Sequence, residues 1–269
     1  MSVSDPIDEH MKYLARSRYS AATRRERERV LRSLPGDPFT LTREQVQAWW
    51  EERQTRPDGS PRAASTLSQE SSHVRRFCRW AMQQGLAERN LADWLPDVRQ
   101  TKPAVIPVSE GELSRLMDDA PDDIRRAIAL AAMAGLRSGE IGQVEWSDID
   151  RGNGVLWIRL SKGNKGRSIP LSAGLLGALG DPGEGPIIGK HMSGKAVSQM
   201  LGRYMRARGV DLTAHKLRAR YATRFLAATG DLKAAADALG HADLTSIGRY
   251  VVASSDTMRR GAEAAGRIG

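Results

Sequence analysis

Apolar and polar positions along this chain recur with a helical period over most of its length, which predicts a mainly α-helical protein. In the N-terminal third, Ser20 precedes AATRRERERVLRSL, a run that mixes arginine with glutamate until Pro35-Gly36 stops it. Thr42, with Gln45 three residues on, reads as a capping box opening TREQVQAWWEER. After the loop RPDGSP, Leu67, Ser71, Val74, Cys78 and Ala81 fall on one face of a long helix, and His73, Arg75, Arg76 and Arg79 on others. The stretch VRQTKPAVIPVSEGE has two prolines and no period. It places an interdomain linker at residues 96–107, between a helical unit over 1–95 and a second domain over 108–269.

The second domain begins with another capping box, Ser109 with Glu112, followed by DDIRRAIALAAMAG, which has acids in its first turn and Gly135 as its stop. The period then changes. VLWIRL and RSIPL read as two short strands around the lysine- and glycine-rich turn SKGNKG, a β-hairpin. From Ser172 onward the helical pattern returns, through LSAGLLGAL, SGKAVSQMLGRYMRARG, TAHKLRARYATRFLAAT, DLKAAADALG, DLTSIGRYVV and a last segment near DTMRRGAEAAG. The fold class expected is mainly α with a small β-hairpin or sheet.

Charge narrows the partner. The chain carries a formal +9, unevenly spread: residues 107–150 hold 4 basic and 10 acidic side chains, net −6, whereas residues 151–269 hold 19 and 8, net +11. Residues 1–106 hold 18 and 14, net +4. Two basic regions of this kind suit a polyanion such as nucleic acid. Arg75, Arg76 and Arg79 are candidate phosphate contacts on one helix, with an ordinary solvated face as the equal alternative. No membrane is expected: no apolar run approaches the ~18 residues of a span, and no stretch pairs a broad apolar face with a lysine face. The one cysteine, Cys78, excludes an internal disulfide and a thiolate cluster and reads as a small core residue.

The chemistry-bearing residues are Arg137 with Glu140 in AGLRSGEI, Lys162 in LSKGNKGR, His215 and Arg218 in HKLR, and His241 and Tyr250 in LGHADLTSIGRY. His215 and Arg218 are one helical turn apart and share a face. Metal-free cleavage of a DNA phosphodiester needs fixed cations around the phosphate oxygens, which paired guanidinium groups supply. It needs an acid for the leaving 5′-oxygen, and a lysine on a hairpin tip can deliver one. It also needs a nucleophile that stays attached if the bond is to be resealed. A phenol serves once neighbouring cations favour the phenolate. Taken singly, each of these residues has an ordinary structural reading, and Lys165 competes with Lys162 for the acid role. Their joint occurrence in this order reverses that balance.

In that order the four segments resemble the active-site boxes of the tyrosine recombinases, the phage-integrase and Xer-type enzymes, over residues 107–255. The N-terminal unit is similar in length and pattern to that family's core-binding domain. The resemblance implies that Tyr250 is the nucleophile, forming a 3′-phosphotyrosyl bond, and that Lys162 protonates the leaving oxygen. Arg137, Arg218 and His241 would hold the phosphate, His215 would assist proton transfer, and Glu140 would support Arg137. It implies neither cofactor nor metal. The implied partner is a double-stranded core-type attachment site with inverted half-sites, bound by a homodimer, with a homotetramer in synapsis, a Holliday junction as intermediate and an accessory directionality factor as a further partner. The terminal segment near DTMRRGAEAAG would then pack on a neighbouring protomer. Because the core-binding pattern starts near residue 6, recognition of a short core site without arm sites is expected. The location implied is the cytoplasm of a bacterial host. A type IB topoisomerase, which reseals the same strand, and a DNA-binding regulator that never cleaves are the alternative readings.

Overall fold

The computed structural model describes residues 5–98, 106–159 and 166–240. The chain divides into two compact units, Met1–Lys102 and Pro103–Gly269.

The first unit is helical. Its elements are α1 (Pro6–Arg16), α2 (Ala21–Leu31), α3 (Arg43–Glu52), α4 (Ala64–Gln83) and a 3-10 turn over Leu91–Trp94. The starts are set by side-chain caps that satisfy otherwise orphaned N–H groups. Asp5 accepts from Ile7 N at 2.8 Å, Ser20 accepts from Thr23 N at 3.1 Å, and Thr42 and Gln45 form the predicted reciprocal box. Val30, Leu31, Val46, Trp49, Trp50, Val74, Phe77 and Cys78 make the core. Cys78 is buried, and burial pushes its thiol up to about 12.

The α4 face is wider than its sequence stripe. His73, expected on the polar side, is buried at 7% exposure, together with Glu70. The reason is tertiary: α1 and α2 both pack against α4 and cover a flank that solvent would otherwise reach. Glu70 is satisfied there by Arg53, which donates through Nε at 2.8 Å and Nη2 at 2.9 Å, by Arg29 at 3.0 Å and by Arg62 at 3.2 Å. His10 of α1 is buried at 1% against Trp80, ring centroids 4.7 Å apart. Among the described residues neither of its ring nitrogens has a hydrogen-bond partner.

The second unit is built round α6 (Asp122–Ala132), whose residues Ala127 to Ala132 are wholly buried. The alanines let neighbours approach closely, and α8 (Ala173–Leu179), α9 (Gly194–Ala207) and α10 (Ala214–Thr229) all pack on it. α5 (Glu110–Asp118) starts from the predicted Ser109–Glu112 box. α7 (Ser138–Ile141) is a single turn, and α11 (Leu232–Leu239) ends in Gly240 at φ 62°. The predicted hairpin is present as β2 (Val155–Ile158) and β3 (Arg167–Pro170). It is joined by a two-residue strand β1 (Ile149–Asp150), too short to show an alternation in sequence. The sheet is antiparallel in the order β1-β2-β3, with Leu156 opposite Ile169 and Ile158 opposite Arg167. Leu156, Ile158 and Ile169 face the core, and Trp157 faces outward. No described helix is long and apolar enough to cross a membrane.

His10 makes the first unit acid-sensitive. Burial, aided by the charge of Arg27, pushes its pKa from the ordinary 6.5 down to about 4. Between those values the unfolded chain binds a proton that the folded chain refuses. The His10 contribution is therefore intact above pH 6.5 and is lost as pH falls toward 4. The loss is worth about 3 kcal/mol. Urea unfolding of the first unit followed across this window should show the drop, and His10→Leu should flatten most of it, leaving the weaker slope due to His73, whose pKa is lowered in the same way.

Candidate active site

The site starts where α6 stops. Gly135 takes φ 68° and lets the chain reverse; a Cβ there would run into the Tyr221 ring. Leu136 anchors the turn in the core, and Arg137 follows in extended backbone as the cap of α7. Glu140, at the third position of α7, accepts from the Arg137 backbone N–H at 2.7 Å and from its Nη1 at 3.0 Å. One carboxylate thus caps the helix and orients the guanidinium that precedes it.

Glu140 is 8% exposed and serves more than Arg137. Arg167 of β3 donates to both of its oxygens, Nη1 to Oε1 at 2.8 Å and Nη2 to Oε2 at 2.9 Å. Arg218 of α10 places Nη1 3.8 Å from Oε2. Burial opposes ionisation of Glu140. The Arg167 hydrogen bonds, the Arg137 N–H and the charges of both arginines outweigh it and hold the carboxyl below its ordinary range. Three guanidinium groups against one carboxylate leave this cluster at net +2. An excess of fixed positive charge in a half-buried setting attracts anions.

Backbone carbonyls hold the same arginines from the other side. Arg218 donates to Gly135 O and, through Nη2, to Leu239 O at 2.7 Å. Arg137 Nη2 donates to Gly240 O at 2.6 Å, and Arg167 Nε to Ala238 O at 2.9 Å. A concavity opens beside them, lined among others by Arg137, Ser138, Ser198, Arg206, His215 and Arg218. His215 lies in the first turn of α10, exposed, while Arg218 one turn later is buried. Of the residues singled out from sequence, Arg137, Glu140, His215 and Arg218 are therefore brought to one place from α7 and α10, with β3 supplying a partner. Lys162, Lys165, His241, Tyr250 and the terminal segment near DTMRRGAEAAG lie outside the described residues.

Two cations of this region escaped the motif reading, Arg206 and Arg167. Arg167 did leave a signal. On the strand RSIP it shares the alternate face of Ile169, and a charge in register with a core position needs a buried counter-charge. Arg206 carries no comparable mark, because a basic residue late in a helix is ordinary.

In the first unit, Ser68, Ser71, Ser72, Arg75, Arg76, Arg79, Asp97 and Val98 line a second concavity. Arg75 is engaged within the protein: Nε donates to Ser71 Oγ at 3.2 Å, and Nη2 to Leu95 O and Asp97 Oδ1, both at 3.0 Å. Arg76 and Arg79 are exposed.

Comparison with known proteins places this geometry. The family model described as the phage integrase family matches residues 108–256. Tyrosine recombinase XerC of Shewanella amazonensis is 27% identical over 211 residues, 71% of this chain and 70% of that protein. Among solved structures, a lambda integrase dimer bound to a COC′ core site superposes with a TM-score of 0.73 at 21% identity, over 93% of this chain and 77% of that one. A lambda integrase tetramer bound to a Holliday junction gives 0.69 at 22%, over 89% and 77%. With more than half of its length matched by the family model, and with the arginine cluster around Glu140 inside the matched region, the chain belongs to the phage integrase family of tyrosine recombinases.

Proposed function

We propose that this site-specific tyrosine recombinase cuts and rejoins DNA through a covalent bond to Tyr250. One observation carries the residue assignment: Arg137 and Arg218, oriented by a shared buried carboxylate, line the same concavity as His215. In this reading the two guanidinium groups, with His241, hold the non-bridging oxygens of the scissile phosphate and stabilise the charge that grows there. Tyr250 attacks phosphorus, and its proton passes toward His215. The bond to the 5′-oxygen breaks as Lys162 donates a proton to it, leaving a 3′-phosphotyrosine and a 5′-hydroxyl. The 5′-hydroxyl of a partner strand then attacks the phosphotyrosine and frees Tyr250. The number of ester bonds is conserved, so the sequence of steps balances without an external energy source. Glu140 touches no DNA and keeps Arg137 in place.

The first unit is proposed as the core-type DNA-binding domain, with Arg76 and Arg79 on phosphates and Arg75 as the brace that fixes the segment beside them. Two protomers bind inverted half-sites and two such pairs synapse. Support comes from the lambda integrase relatives, which are a dimer on a core site in one case and a tetramer on a Holliday junction in the other.

The test is adduct trapping. The chain is incubated with a pool of nicked duplexes of randomised core sequence, and protein-linked DNA is recovered and mapped. A 3′-linked adduct that disappears in Tyr250→Phe is expected; an adduct that survives the substitution sinks the assignment. Glu140→Gln removes the counter-charge of three arginines. It should lower the unfolding free energy of the second unit by about 3 kcal/mol and slow adduct formation by roughly tenfold or more. Replacing Arg76 and Arg79 together with alanine should reduce the slope of log affinity against log salt by about 2, one for each lost phosphate contact. Titrations at several salt concentrations would read that change directly.

A further inference from the structure

The last three carbonyls of the described chain, those of Ala238, Leu239 and Gly240, are each taken by a different arginine: Arg167, Arg218 and Arg137 in turn. They close α11, where helix carbonyls have no partner of their own and carry the negative end of the dipole. The next residue in the chain is His241, and Tyr250 follows nine positions later. Arg137 and Arg218 are the phosphate-holding pair of the proposed mechanism. Arg167 has no part in it, yet its guanidinium is fully engaged. All three of its guanidinium nitrogens donate, two to Glu140 and one to Ala238. Its side chain is 12% exposed. The end of α11 closes directly over it: a Cβ on Gly240 would sit 2.8 Å from Arg167 Nη1, and Gly240 itself holds φ 62°. Arg167 also opens β3, five residues after Lys162.

From this we infer that Arg167 is a positioning residue for strand cleavage. One planar cation locks the carboxylate that orients Arg137 to the helix end that leads to the nucleophile, so phosphate holder and nucleophile segment keep one register. The inference rests on the cleavage reading above. Arg167 acts through Glu140 and Ala238 and does not itself touch phosphate. Planarity is what the job requires. Nη1 and Nη2 match both oxygens of a carboxylate while Nε remains free for a carbonyl on another element. A lysine keeps the charge but cannot span acceptors on two elements.

The experiment compares the full-length wild type with Arg167→Lys and Arg167→Ala on the mapped duplex, measuring half-site affinity and single-turnover adduct formation separately. In both variants adduct formation should fall by roughly 100-fold, the scale of a reacting group displaced by about an ångström, while half-site affinity stays within about twofold of wild type, since bound phosphate-contact residues are unchanged. A duplex with sulfur at the bridging 5′ position needs no proton on its leaving group. The Arg167 defect should persist on it, whereas that of Lys162→Ala should be relieved. Hydrogen exchange should quicken at the amides of residues 238–240 and stay unchanged in α6. Gly240→Ala, which leaves Arg167 in place but crowds its guanidinium, should reproduce the same kinetic pattern and covers the case in which Arg167→Ala does not fold. Arg167→Lys cleaving at close to the wild-type rate would overturn the inference. So would affinity falling in step with rate, or the sulfur substrate restoring the rate. A wild-type chain that forms no Tyr250-dependent adduct would instead bring down the cleavage reading itself, which separates the two failures.

Discussion

The second unit depends on one buried carboxylate. Glu140 sits among Arg137, Arg167 and Arg218, and without it three guanidinium groups from three separate elements would repel one another at short range. With it they converge. The carboxylate absorbs one unit of charge and leaves a surplus, so the cluster is stable enough to fold and still electropositive. The same group closes the first turn of α7 by accepting the Arg137 backbone N–H, which ties the direction of the Arg137 side chain to the start of a helix.

The first unit uses the same device for a different end. Glu70 also gathers three arginines, Arg29, Arg53 and Arg62, from different elements. There the arginines brace α2, α3 and the loop before α4 on one buried acid, and none of the three lines the concavity that holds Arg76 and Arg79. A carboxylate surrounded by arginines is therefore a structural joint in one unit and the anchor of concavity-lining arginines in the other. What distinguishes them is that two arginines of the second cluster, Arg137 and Arg218, line one concavity together with His215.

Backbone carbonyls do the rest of the positioning. Gly135 at the end of α6 and residues 238–240 at the end of α11 supply acceptors that no motif records, because any residue type has a carbonyl. Arg218 is thus held from both sides, by the turn after α6 and by the end of α11, whose negative dipole end adds to the hold. The geometry explains why glycine stands at 135 and 240: both take positive φ, and both lie where an added Cβ would strike a neighbouring side chain.

Local signals in the sequence determined most of the helices and the caps of α2, α3 and α5, since capping boxes and helical periods are written within a few residues. They also picked out Arg137, Glu140, His215 and Arg218, whose residue types and order match a chemical requirement. Tertiary structure alone decided what could not be local. It buried His73 beneath helices that pack from a distance and added the two-residue strand β1 beside β2. It assigned Glu140 to Arg167 as well as to Arg137, and delivered the carbonyls of residues 238–240 to the arginines. The physical reason is the same in each case: a period or a cap is set by neighbours in the chain, but burial, ion pairing and backbone acceptance are set by whatever the fold brings alongside.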